Sequence, residues 1–198
     1  MVDDLLREHG TTYASAAGIT LKDEPSPLFQ LLVLTMLSST RISAGIAVAA
    51  ARELFRAGWR TPQRMRESTW QQRVAALGRA GYRRYDESTA TKLEELCERV
   101  LTEYGGDLRR MRPHGPDPQR ELREAVDAFP RIGPTGAGIF CREVQDVWTE
   151  VRPFFDDRAL RTAERLGLPT DPERLAALAP AGRTAVLAAA LARAKPRA

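Results

Sequence analysis

Apolar residues recur along this chain at intervals of three and four, between short interruptions of Gly, Pro and small polar residues, which is the period of one helix face after another. No stretch alternates apolar and polar positions with the Val, Ile and aromatic enrichment of a strand, so the pattern predicts an all-α fold. A first helix is expected over Val2 to Glu8, ended by Gly10. Pro25 and Pro27 introduce a strongly apolar helix, Leu28 to Leu37, that reads as the central core element. Ser43 can cap the next, which runs through Ile46, Val48, Ala49 and Leu54 to Gly58. Thr61 before Pro62 marks one short helix and Thr69 another reaching Leu77, with breaks at Gly78 and Gly81.

Ala90, Leu93, Leu96, Cys97, Val100, Leu101 and Tyr104 trace one face of a long helix from about Tyr85 to Tyr104, stopped by Gly105 and Gly106. The proline-rich piece Arg112 to Pro118 reads as a flexible linker. A helix over Gln119 to Ala128 then leads into a tight turn, Phe129 to Gly133, and a second helix from Pro134 towards Val147. Asp156 precedes a helix over Arg158 to Leu166, Asp171-Pro172 starts another, and Arg183 to Ala194 is a last, Ala-rich one. No repeat of fixed period is present.

With 198 residues, 43% of them hydrophobic, the chain can bury a substantial core in one domain or two joined lobes. The longest apolar run, Leu31 to Leu37, is too short to cross a bilayer, and Met1-Val-Asp-Asp lacks the order of a signal peptide. A soluble protein is therefore expected, cytoplasmic and in a prokaryote nucleoid-associated, with no membrane partner. Cys97 and Cys141 each fall in an apolar-periodic segment and read as reduced core thiols. With only His9 and His114 besides, far apart, no metal site or iron–sulfur cluster is expected. The net charge of +4 rests almost wholly on Arg, whose planar guanidinium grips phosphate, so nucleic acid is permitted as a partner without being required.

The chemistry is concentrated in one place. In a helix, hairpin and helix, a glycine-containing turn points backbone N–H groups at a single phosphate, and the helix dipole adds to the attraction. Ile132, Gly133, Thr135 and Gly136 suit this role. Gly133 supplies the backbone angles, Ile132 plugs the hairpin into the core and Thr135 offers a hydroxyl, while Pro134 forfeits one donor. The plain alternative is a turn between two helices.

About twenty residues on, Phe155-Asp156-Asp157-Arg158 is followed by Arg161 and Arg165-Leu166-Gly167-Leu168. Together with Phe129-Pro130-Arg131-Ile132-Gly133, this order resembles the helix–hairpin–helix DNA glycosylase superfamily of endonuclease III and the adenine-specific mismatch glycosylases. The resemblance extends upstream to Pro27 through Ser38 and to Leu77-Gly78 through Gly81-Tyr82. It implies a two-lobed all-α fold over residues 1–198, one lobe over about 28–133 and the other formed by the N-terminal segment and about 134–198. It also implies a monomer acting on double-stranded DNA, with Asp156 in the place of the catalytic aspartate and Asp157 as the competing assignment. A carboxylate there stabilises the oxocarbenium character of the transition state as a base departs. Otherwise Asp156 merely caps its helix.

The departures from the pattern carry equal information. Thr135 stands where bifunctional members carry a lysine that forms a Schiff base with the sugar, so the resemblance implies base release without strand cleavage. No cysteine follows Cys141, so no cluster is implied. Arg131 replaces the first hairpin glycine, and Thr40, with Arg41 beside it, replaces the glutamine that fills the gap of a flipped base. Arg131 and Arg41 are both expected near DNA, and Tyr82 to Tyr85 combine rings and cations suited to a strand. Two other readings remain open: a module of the same fold that binds DNA without chemistry, and an α-helical adaptor between proteins.

Overall fold

The computed structural model describes residues 1–194, in which every regular element is helical. The helices are α1 (Val2–His9), α2 (Tyr13–Ala16), α3 (Pro25–Ser38), α4 (Ala44–Arg56), α5 (Pro62–Glu67), α6 (Trp70–Arg79), α7 (Asp86–Tyr104), α8 (Pro118–Asp127), α9 (Gly133–Val144), α10 (Asp157–Arg165), α11 (Pro172–Ala176) and α12 (Thr184–Arg193). Single 3₁₀ turns lie at Leu108–Met111 and Thr149–Val151. The all-α expectation holds. The hydroxyls of Ser43, Thr61 and Thr69 each accept the N–H three residues on, and Gln72 completes a reciprocal capping box with Thr69. Gly78 does not break α6, which runs on to Arg79; the stop comes at Gly81, with φ +84°. The unexpected elements, α2 and the two 3₁₀ turns, span a single turn each, too short to leave a period in the sequence.

Leu28, Phe29 and Leu31 to Leu37 of α3 are buried, as an almost wholly apolar helix must be, with α4 and α9 packed against it. A large core joins α2 through α9 and ends at Phe154. A smaller one begins at Phe155 and unites Leu5 of α1 with Ala159 and Ala163 of α10, Leu175 of α11 and Leu187 and Leu191 of α12. The two cores thus meet between Phe154 and Phe155. The second hairpin helix, α9, lies within the larger one through Ala137, Phe140 and Val144, on the other side of the boundary from the expected division at 134.

The proline-rich segment is fastened rather than free. Arg112 pairs with Glu150 and with Asp23, Pro113 is buried, and the Glu121 carboxylate accepts the N–H groups of His114 and Gly115. Cys97 and Cys141 are buried and unpaired, and burial pushes each thiol up to about 12. Neither is expected to react with a thiol–disulfide reagent in the native protein, and both should do so once denaturant unfolds it. An absorbance assay of released thiol chromophore, with and without denaturant, checks this.

Candidate active site

The turn between α8 and α9 is built on two left-handed residues, Arg131 with φ +66° and Gly133 with φ +65°, and Ile132 between them is buried in the core. The second of these is where glycine was expected to be needed. The first is an L residue in a conformation that costs about 1–2 kcal/mol, and its side chain supplies a partial offset. Arg131 Nη1 donates to Thr89 Oγ1 at 2.8 Å and Nη2 to Ser88 Oγ at 2.9 Å, with the guanidinium 5.8 Å from the Tyr85 ring. Arg131 therefore ties the hairpin to the start of α7.

In the first turn of α9, Pro134 has no N–H, which leaves Gly133 and Thr135 as the donors without helix partners at the hairpin tip. Thr135 is exposed. Gly136 is buried against α3: a Cβ there would fall on Ser39 Oγ and lie 2.6 Å from Ile132 Cγ2. Gly136→Ala should accordingly destabilise the protein by about 1–3 kcal/mol through overpacking. A urea denaturation midpoint unchanged from wild type would contradict this.

The approach of Gly136 to Ser39 brings the end of α3 beside the hairpin. There Thr40 is held inward: its Oγ1 lies 2.6 Å from Tyr82 Oη, and Tyr82 in turn donates to the Leu37 carbonyl at 2.8 Å. Tyr82 is fully buried, and burial raises its phenol above its usual value against the opposing hydrogen bonds of Thr40 and Thr89. Thr40 is thus turned onto Tyr82 as Arg131 is onto Thr89, so of Thr40 and Arg41 it is the exposed Arg41 that projects. Arg83 and Arg84 are exposed beside it, and Arg84 stacks 5.4 Å from the Tyr85 ring. The expected residues Thr40, Arg41, Arg131, Ile132, Gly133, Thr135 and Gly136 are gathered around one hairpin.

Asp156 lies on a different face of α9. Positions 135, 138 and 142 share a side of a helix, and a Cβ at Gly138 would lie 3.8 Å from Asp156 Cβ. Asp156 caps α10, its Oδ1 accepting the Ala159 N–H at 2.9 Å, while Oδ2 accepts Nη1 of Arg142 at 2.5 Å. The carboxylate is 20% exposed, whereas the Arg142 side chain is only 3% exposed. Burial opposes the charge on Arg142, but the carboxylates of Glu143 and Asp156 outweigh it and hold the guanidinium above its usual range. Asp157, by contrast, is an exposed first-turn residue of α10.

The supporting shell was not expected from the sequence. The Gln145 amide accepts the Phe154 N–H and donates to the Phe154 carbonyl, both at 2.9 Å, which fixes the backbone two residues before Asp156. Glu143 accepts the N–H groups of Tyr13 and Ala14, and the Tyr13 ring covers Arg142 at 5.1 Å. One signal could have found these residues: Arg142, Glu143 and, after Val144, Gln145 interrupt an otherwise apolar helix. Tyr13 also lines a cleft of about 1440 Å³ between the two cores, with Ile42 and Ser43 at the start of α4, Arg158 and Thr162 of α10, and Arg193. Among the described residues no cluster of His, Cys, Asp and Glu is arranged to hold a metal, and no helix is long and apolar enough to cross a membrane.

No protein-family model matches the chain, and neither does any curated protein. Solved structures do. A trapped endonuclease III–DNA covalent intermediate, an estranged-adenine complex, superposes with a TM-score of 0.52 at 18% identity, over 96% of this chain and 83% of that one. The chain has an endonuclease III-like fold. A non-covalent endonuclease III–DNA complex matches similarly, with a TM-score of 0.51 at 17% identity, over 94% and 80% of the two chains. At such identity the likeness is one of backbone, and the chemistry of the endonuclease III-like chain rests on its own side chains.

Proposed function

We propose that this protein binds duplex DNA and hydrolyses the N-glycosidic bond of a damaged or mispaired base, with Asp156 as the reacting carboxylate. The observation that carries the reading is the fixing of Asp156 on both oxygens beside the face of α9 that begins, at the hairpin tip, with Thr135. A carboxylate set in advance stabilises positive charge on the sugar without reorganising as the base departs. In the same reading, Gly133 and Thr135 receive one phosphate at the hairpin, and Arg41, Arg83 and Arg84 meet the flanking backbone. Thr135 offers no amine, so release proceeds through water, with no Schiff base and no strand cleavage. Cys97 and Cys141 are buried in separate helices, and the reading needs no cluster.

The test is incubation with duplexes carrying uracil, thymine glycol, oxidised guanine, alkylated purines or mismatches, analysed with and without subsequent alkali. Breaks that require alkali are the expected result. Breaks without alkali would contradict the monofunctional assignment, and a silent panel would contradict the hydrolytic one.

A second reading, a DNA-binding module without chemistry, is favoured by the same ion pair: Arg142 neutralises Asp156, and the inward hydrogen bond of Thr40 removes a wedge. It predicts salt-sensitive duplex binding with no base release by wild type.

A further inference from the structure

At the far end of α3 and α4 from the start of the cleft, a polar groove of about 470 Å³ shares no residue with the cleft or the hairpin. Its rim carries Lys22, Arg52, Arg56 and Arg60 against a single carboxylate, Glu24. Arg52 and Arg56 stand one turn apart on α4, an arrangement of like charges that is mildly destabilising to a helix in the free protein. The negative end of the α4 dipole accounts for part of this, since Arg60 donates to the Phe55 carbonyl at 3.0 Å and Arg56 lies in the last turn, paired with Glu53. It does not account for Arg52 or Lys22. Among the described residues neither has an ion-pair partner, and they face the groove from two different segments of chain.

We propose that this groove is a second anion site that takes a phosphate group, separate from the hairpin and from Asp156. Guanidinium groups grip phosphate oxygens in pairs, and Lys22 adds a point charge from the connector before α3. Phe55, Pro27 and Ala17 give the lining a smaller apolar part, against which the organic portion of a phosphate-bearing molecule can rest. The phosphate can belong to a small polyphosphate such as a nucleotide or to the backbone of a single strand, and the chemistry of recognition is the same for both.

Titration calorimetry of the full chain with inorganic pyrophosphate, at low and at near-physiological salt, tests the site. Saturable one-to-one binding is expected, weakened at least tenfold by Arg52→Glu and by Lys22→Glu. Arg174→Glu, which removes the same charge from exposed surface on α11, should leave it within twofold. Displacement of pyrophosphate by a short single-stranded oligonucleotide would assign the phosphate to a strand, and displacement by a nucleoside triphosphate alone would assign it to a small molecule. No saturable binding by wild type, or an equal loss in Arg174→Glu, would overturn the proposal. All three positions are exposed, so thermal unfolding of each variant is expected to match wild type.

Discussion

Replacing Asp156 by Asn is expected to remove base release by a factor of about 10²–10³ or more while leaving duplex binding within a few-fold of wild type. The substitution keeps the shape but only one of the two acceptors: the amide oxygen can take the Ala159 N–H or turn to Arg142, not both, and the group carries no charge. What is lost is the one negative group beside α9 that faces a departing base in the proposed complex. Stability should fall modestly, by about 1–3 kcal/mol, because a charged hydrogen bond becomes a neutral one. Single-turnover release from whichever duplex of the panel reacts, run beside a binding isotherm and a melting curve, separates the three effects. If Asp156→Asn releases base as fast as wild type, Asp156 is only a cap. Asp157→Asn provides the internal comparison, and as an exposed residue it should leave both rate and stability unchanged.

The elements of this fold are legible in the sequence wherever a cap or a period announces them. Thr69 with Gln72, Ser43 and Thr61 mark helix starts by local hydrogen bonds, and the apolar run of α3 can only be a buried helix. Gly78 misleads because glycine weakens a helix without stopping it, and the true stop needs the positive φ of Gly81. The boundary between the two cores falls at Phe154–Phe155, a place with no compositional break, since it depends on which partner each ring meets.

The candidate site divides in the same way. The helix starts that place the hairpin and Asp156 follow from the order of Gly, Pro and Asp along the chain. The roles of Arg131 and Thr40 do not. Arg131 was expected near DNA and Thr40 at the position that fills a flipped base's gap, and the two are turned onto α7 and Tyr82 by hydrogen bonds between residues some forty positions apart. Arg142 is the clearest case: it sits in an apolar helix segment, and its guanidinium finds a hydrogen-bond acceptor only when the chain returns at Asp156.

Arg142→Leu is expected to be the most destabilising single change in the site, by about 3–5 kcal/mol. The guanidinium joins Asp156, Glu143 and the Tyr13 ring, so its removal leaves one carboxylate nearly buried without a cation and another reduced to its helix cap. Yet the arrangement is a costly one, because Nε and Nη2 of Arg142 are buried with no hydrogen-bond partner. Replacing a whole buried ion cluster by neutral groups is often neutral or stabilising, whereas breaking it on one side is not. The triple variant Arg142→Leu, Glu143→Gln, Asp156→Asn should therefore recover much of the stability that Arg142→Leu loses, and chemical denaturation of the two reads the difference directly. A single variant within about 1 kcal/mol of wild type would mean that the ion pair contributes little and that Asp156 is held by its cap alone. If the triple variant is as stable as expected, the fold itself does not require the ions. Their presence is then accounted for by what they hold in place, a carboxylate at the meeting of the two cores.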